Sequence, residues 1–160
     1  MDASAGKRAY RDLQQHIEEL KARDLLYVID EPVNKDTEMS ALVRWQFRGG
    51  VRGDQRKAFL FNNVIDSKNR DYAIPVVIGA LAANQDIYAT GMDTTVDGIA
   101  AKWDHAIANP VKPRLVNAAP CHDVIVEGEE LLIEEGGLVR LPVPLSTPGF
   151  DSTPTLAATN

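Results

Sequence analysis

Tyr10, Leu13, Ile17 and Leu20 recur at helical spacing, with Asp12, Gln14, Gln15, Glu18, Glu19 and Lys21 between them. That period predicts an amphipathic helix over residues 8–22. Leu25-Leu26-Tyr27-Val28-Ile29-Asp30 follows, short and rich in β-formers, and Glu31-Pro32 closes it as a strand. Asn34–Glu38 offers capping residues for a second amphipathic helix with Met39, Leu42, Val43 and Phe47 on one face, stopped after Arg48 by Gly49-Gly50. Ala58–Phe61 reads as a strand, Asp66–Asp71 as a polar turn, and Ile74–Ile78 as a strand whose β-branched residues on both faces predict burial. Asn84–Thr90 is a short helix. Thr94 or Thr95 caps a longer one through Ala108, with Val96, Ile99, Ala100, Trp103 and Ile107 inward, and Pro110 and Pro113 end it. The order helix–strand–helix–strand–strand–helix predicts an α/β (α+β) chain, a small mixed sheet covered by helices.

The last third follows a different pattern. Seven of the nine prolines lie between residues 110 and 154. Proline fixes φ and removes a backbone donor, so this stretch is predicted to be extended segments joined by rigid turns rather than helix. Thr155–Asn160 reads as a strand just beginning, with no turn or charged side chain after Pro154 to blunt its edge. The expectation is that it pairs with a strand outside this chain or with another copy, and that the polypeptide continues or was cut there.

Composition narrows the class. With 160 residues, 44% hydrophobic and 25% charged, the chain can bury a core as one domain or slightly more. A net charge of −6 argues against a nucleic-acid or acidic-membrane partner. The charge is uneven: residues 1–60 carry 11 Lys/Arg against 10 Asp/Glu, and residues 61–160 carry 6 against 13. One cysteine excludes an internal disulfide. No apolar run approaches the ~18 residues that span a bilayer, and the N-terminus has no signal-peptide core. The expectation is a soluble cytoplasmic protein.

No catalytic constellation emerges from the residues. Cys121-His122 suggests a nucleophile and base, but neighbours on a strand point to opposite faces and cannot form a dyad. His16, His105 and His122 lack the HxxxH or HxH spacing of a metal site. Arg44, Arg48, Arg52, Arg56 and Lys57 around Gly49-Gly50 and Gly53 could bind a phosphate or carboxylate, although no P-loop follows and a solvated face is the simpler reading. Glu127, Glu129, Glu130, Glu134 and Glu135 lack a calcium-loop ladder and read as a hydrated hairpin rim. The predicted catalytic and metal sets within this chain are therefore empty.

Taken in order, several segments resemble the N-terminal part of a UbiD-like decarboxylase, the family that uses prenylated flavin mononucleotide. They are the helix Arg11-Asp12-Leu13…Ile17-Glu18-Glu19-Leu20, the Asp30-Glu31-Pro32-Val33 turn, the helix Glu38–Arg48 and the strand Ala58–Val64. Ile74-Pro75-Val76-Val77-Ile78-Gly79, the Pro-Cys-x-x-Val-x-x-x-Gly segment Pro120–Gly128, Leu141-Pro142-Val143-Pro144 and the Pro148–Asp151 turn follow. No single motif is specific; their conjunction in this order is. Leu132–Gly137 looks like an insertion, and Gly50–Arg56 lengthens a loop.

The resemblance implies an N-terminal α/β domain over residues 1–118 and an extended connector over 119–160 that enters a flavin-binding domain. It implies a complete enzyme that removes or adds carboxylate on an aromatic, heteroaromatic or α,β-unsaturated acid. The cofactors implied are prenylated FMN and a divalent metal, Mn or Mg, with K+ possible, held mostly outside this chain. The family's metal-binding Asn, His and Glu, and its catalytic Arg and acidic pair, have no matching position here. Only Ala158 and Thr159 correspond to the flavin's surroundings. The implied partner is a larger catalytic subunit or the remainder of the polypeptide, in an oligomer, with this chain inactive alone. The competing reading is a free-standing binding or regulatory module whose contact surface is the Arg44–Lys57 loop.

Overall fold

The computed structural model describes residues 10–113, 115–132 and 137–147. In chain order its strands are β1 (Leu26–Ile29), β2 (Val33–Asn34), β3 (Ala58–Phe61), β4 (Val64–Ile65), β5 (Asp71–Tyr72) and β6 (Val76–Ile78). Its α-helices are α1 (Leu13–Ala22), α2 (Met39–Arg48), α3 (Gln85–Gly91) and α4 (Ile99–Ala108). The mixed α/β class predicted from the pattern is the class observed.

The strands form two small sheets with the same wiring. β1 pairs in parallel with β3, Leu26 opposite Ala58, and β6 pairs antiparallel on the other side of β3. β2 pairs in parallel with β4, and β5 antiparallel with β4. The two parallel pairs are one ribbon bent in the middle. Asn62 N–H donates to the Ile29 carbonyl at 3.0 Å and Val33 N–H to the Asn63 carbonyl at 3.0 Å, so backbone pairing crosses the bend. Pro32 lies at the bend, where its missing N–H costs no ladder bond. Asp30 fastens it: its Oδ1 accepts from Asn62 Nδ2 at 2.6 Å and its carbonyl from Asn63 Nδ2 at 2.5 Å.

Alternation along β3 separates two cores. Ala58 packs with Ile17, Leu20, Leu26, Ala80, Ala83 and Ile87, and Leu60 lies against this cluster under α1 and α3. Phe59 and Phe61 pack with Val33, Met39 and Val64 under α2, their rings stacked 5.8 Å apart. The result is helices, sheet, helix, in three layers. Gly79 ends β6 at φ 79°, and a Cβ there would meet the Ala83 Cβ at 3.1 Å. Its lack of a side chain lets the chain turn tightly into α3.

Several elements differ from expectation. Helix α1 begins later than the apolar stripe because Asp12, extended at φ −152°, caps it and accepts from Gln15 N–H at 2.9 Å. Leu13 is exposed, and in α2 only Met39 and Val43 of the predicted face reach the core while Leu42 and Phe47 face outward. Strand β6 is shorter than Ile74–Ile78 and only half-buried, because it is an edge strand covered on fewer sides. β2, β4 and β5 were not anticipated. Their two-residue length carries too little alternation to read.

Among its described residues the C-terminal third consists of irregular segments joined by short 3-10 turns, with no α-helix. Pro120–His122 is a single 3-10 turn started by proline, whose fixed φ suits that position. Gly128–Leu132 and Gly137–Arg140 are further 3-10 turns rather than a hairpin. The Leu141–Pro144 stretch returns to the domain: Pro142 is buried, and Leu145 N–H donates to the Lys35 carbonyl at 3.0 Å. Helix α4 is the largest surprise. From Ala100 to Ala108 every residue is exposed, so the predicted inner face has no layer beneath it. The predicted strand at Thr155–Asn160 lies outside the described residues.

Candidate functional site

The basic loop of residues 44–57 is the surface that the charge pattern marked for an anion. The fold spends most of those cations on itself. Arg44 Nη2 donates to the Ser146 carbonyl at 2.7 Å. Arg52 forks onto Asp54 at 3.1 and 2.7 Å and holds that carboxyl below its ordinary range. Arg56 lies over the Phe47 ring, 4.9 Å from its centroid. Lys57 pairs with Asp24 at 2.6 Å and covers Tyr27. Cations placed on rings, carboxylates and carbonyls of their own chain do not converge on one empty point, as phosphate binding requires.

Two buried polar arrangements escaped the sequence reading. Gln46, on the inner side of α2, brackets the backbone of Lys57: its Nε2 donates to the Lys57 carbonyl and its Oε1 accepts from the Lys57 N–H, both at 2.8 Å. The side-chain amide thus serves as the strand neighbour that the chain just before β3 lacks. The second centres on Asp66, whose side chain is 2% exposed. It accepts from the backbone N–H of Lys68 and Arg70 at 2.9 Å, from Arg70 Nε at 2.7 Å and from Tyr72 OH at 3.1 Å. Burial alone would raise its pKa, but the Arg70 and Lys68 contacts outweigh that and hold it below the ordinary value. Burial and the Asp66 charge push Tyr72 up to about 12. Lys35 and Asp36 join at 2.6 Å beside this cluster, and Asp36 also takes the Ser67 N–H at 3.0 Å. The Asp66-Ser67-Lys68-Asn69-Arg70 spelling, an Asx turn with an arginine four residues on, was the available signal. Every member points at another, so the cluster fastens β2, β4 and β5 and leaves no group free for chemistry.

The remaining candidates are dispersed. His16 is buried on α1, its Nε2–H donates to the Ala80 carbonyl at 2.7 Å and its ring stacks on Tyr10 at 4.5 Å; it is a packing residue. Cys121 and His122 share an exposed 3-10 turn rather than a strand, and among the described residues no carboxylate bond orients the imidazole. His105 lies on exposed α4 with Asn109. Among the described residues no three His, Cys, Asp or Glu side chains gather to hold a metal. Ala158, Thr159, Glu134 and Glu135 lie outside those residues. No described helix is long and apolar enough to cross a membrane.

One cavity of about 650 Å³ opens between the Gly53–Gln55 turn, the start of α3 and Val96–Ile99. Asn84 ties its two walls. Its Oδ1 caps α3 by accepting from Ile87 N–H at 2.7 Å, and its Nδ2 donates to the Arg56 carbonyl at 2.6 Å. Ala82, Tyr88, Val96 and Ile99 give the cavity an apolar floor, with Asp54, Arg56 and Asp86 on its rim. It offers shape and apolar surface but no nucleophile with a base.

Known proteins supply what this geometry does not. The family model of the 3-octaprenyl-4-hydroxybenzoate carboxy-lyase N-terminal domain matches residues 17–115, from within α1 to just past α4. No curated protein matches the chain. Among solved structures, an evolved dimeric form of the UbiD-class enzyme HmfF from Pelotomaculum thermopropionicum, in complex with prFMN, superposes with a TM-score of 0.66 at 28% identity, over 88% of this chain and 29% of that one. The same enzyme in complex with FMN gives 0.64 at 29% identity, over 86% and 27%. Vanillic acid decarboxylase of Sedimentibacter hydroxybenzoicus in its open form shares the fold at 20% identity, with a TM-score of 0.63 over 87% and 28%. The chain thus spans under a third of the length of these solved relatives. With the family model covering well over half of its residues, the chain belongs to the UbiD family, in the part formed by that family's N-terminal domain.

Proposed function

We propose that this chain is the N-terminal portion or small subunit of a prenylated-FMN-dependent, UbiD-class decarboxylase or carboxylase. Its substrate class is an aromatic, heteroaromatic or α,β-unsaturated carboxylic acid. Its role is structural: it assembles with a larger flavin-bearing catalytic portion, as a separate subunit or within one polypeptide, in a cytoplasmic oligomer. Residues 1–118 form the α/β domain, and residues 119–160 lead into the flavin-binding domain, with Ala158 and Thr159 beside the flavin. The observation that carries this reading is the family match over residues 17–115. The prFMN and FMN complexes of HmfF support it.

The described residues do not themselves fit the cofactor or its metal, Mn or Mg with K+. The basic side chains are largely engaged within the fold, and no metal-ligating group assembles. When bound elsewhere in the enzyme, the prenylated flavin supplies the electron sink for loss of CO₂. This domain's part is to pack and orient. The free-standing module reading is weaker, because most cations of the loop meant as its contact surface are engaged with groups of their own chain. The test is turnover: the chain alone, given prenylated FMN, should not decarboxylate aryl or acrylic acids, whereas its native assembly should. Turnover by the isolated chain would overturn the structural role.

A further inference from the structure

We propose that the 650 Å³ cavity and the uncovered face of α4 form one seat, and that its occupant is an apolar segment of the flavin-bearing remainder of the enzyme. The inference rests on the functional reading above and adds to it the face through which this domain docks.

Helix α4 makes the case. Seven of its ten residues are apolar, and none is buried. Its apolar stripe continues from the preceding turn at the cavity lining, where Val96 and Ile99 are half-buried, and runs out over open surface at Trp103, 47% exposed, and Ile107, 71% exposed. Two polar ties hold the helix to the domain: Trp103 Nε1 donates to Tyr88 OH at 2.7 Å and Lys102 Nζ to the Asp93 carbonyl at 3.0 Å. Isolated helices below about 12–15 residues are marginal in water, so a ten-residue helix of this composition requires a covering surface.

Among the described residues, none of the stretch after α4 covers it. Leu115 is 98% exposed, and Val124 and Ile125 are exposed as well. The family match ends at residue 115, just beyond α4, while the HmfF chain has 71% of its length (100 − 29) outside the superposed part. Polypeptide of that extent must pack on something, and among the described residues α4 is the helix without a layer. The α2 groove at Pro32, Leu42 and Trp45 is the rival face, yet α2 is already anchored by buried Met39 and Gln46.

The test compares backbone hydrogen exchange in the isolated 160-residue chain and in the flavin-containing assembly purified from its cells. Amides of residues 99–108 should exchange more than about tenfold more slowly in the assembly. Ile107→Asp, at a position exposed in the isolated chain, should leave the chain's melting unchanged and weaken retention of the flavin-bearing portion by more than about tenfold. Leu42→Asp in the rival groove should leave retention intact. The docking face is wrong if α4 exchanges alike in both samples, or if Leu42→Asp rather than Ile107→Asp releases the partner. It is also wrong if α4 becomes protected in the isolated chain merely on concentration, which would make the occupant a second copy. An assembly holding no flavin-bearing UbiD-class portion would sink the functional reading, and this inference with it.

Discussion

Replacing Asp66 with alanine should be among the costliest single changes in this domain, although nothing in its sequence neighbourhood looks like core. The buried carboxylate accepts two backbone N–H groups, the Arg70 guanidinium and the Tyr72 hydroxyl. Hydrogen bonds to charged groups are each worth about 1.5–3 kcal/mol, but they are not additive. The Arg70 side chain is 38% exposed and can rehydrate, whereas the Lys68 and Arg70 amides lose the acceptor their turn was built around. The net cost should be about 2–4 kcal/mol, from two turn amides left without their acceptor. Asp66→Asn keeps an oxygen for the two amides and loses the charge facing Arg70, so it should cost about 1–3 kcal/mol. Urea unfolding of the three proteins, followed by circular dichroism, measures both. The pH dependence supplies an independent check. The Asp66 pKa is lower folded than its ordinary 3.8, so its stabilisation is present above that value and disappears as pH falls through the folded pKa. Asp36 is lowered too, so Asp66→Asn should flatten the acid limb only in part. An Asp66→Ala protein within about 1 kcal/mol of the parent would refute the assigned role of the network.

Other consequences are simpler to measure. Tyr72 keeps its proton to about 12 in the folded state against an ordinary 10.0, so its stabilisation holds below pH 10 and is lost as pH rises through 12. An ultraviolet titration should show a tyrosine phase near pH 12 that Tyr72→Phe removes; a titration unchanged by that substitution would contradict the assignment. Gln46→Leu strands the Lys57 N–H and carbonyl and should cost about 2–3 kcal/mol in chemical denaturation, well beyond what an exposed helix position would show. Asn84→Ala removes both the α3 cap and the tie to Arg56, for about 1–2 kcal/mol by thermal melting. Arg52→Ala, breaking an exposed pair with Asp54, should change stability by less than about 0.5 kcal/mol, and a larger loss would mean that the loop carries more than a solvated ion pair.

What was legible in the sequence was what periodicity can carry. Ile17 and Leu20 on α1 and Met39 and Val43 on α2 reached the core as their spacing implied, and Ala58–Phe61 is the strand its composition implied. Periodicity fails in two physical situations here. Two-residue strands such as β4 and β5 contain no repeat, and polar residues that replace a missing backbone partner, such as Gln46, look like solvent-facing positions. The same logic misled at α4. A stripe at Val96, Ile99, Trp103 and Ile107 specifies that something must cover the helix, but not that the cover comes from the same domain. The site was illegible for a related reason. Cations and histidines stand out in the sequence, yet here they are spent on Phe47, Asp54, Asp24 and the Ala80 carbonyl. The family could be read only from the order of many weak motifs.

The most direct test of the central claim is the mass and visible spectrum of the native complex that contains this chain, read together with its turnover of an aryl or acrylic acid. The account predicts a mass well above 17.5 kDa for each copy of this chain, a flavin absorption band and decarboxylation that the isolated chain lacks. A colourless complex of this chain alone, or with a partner unrelated to flavin chemistry, would contradict it.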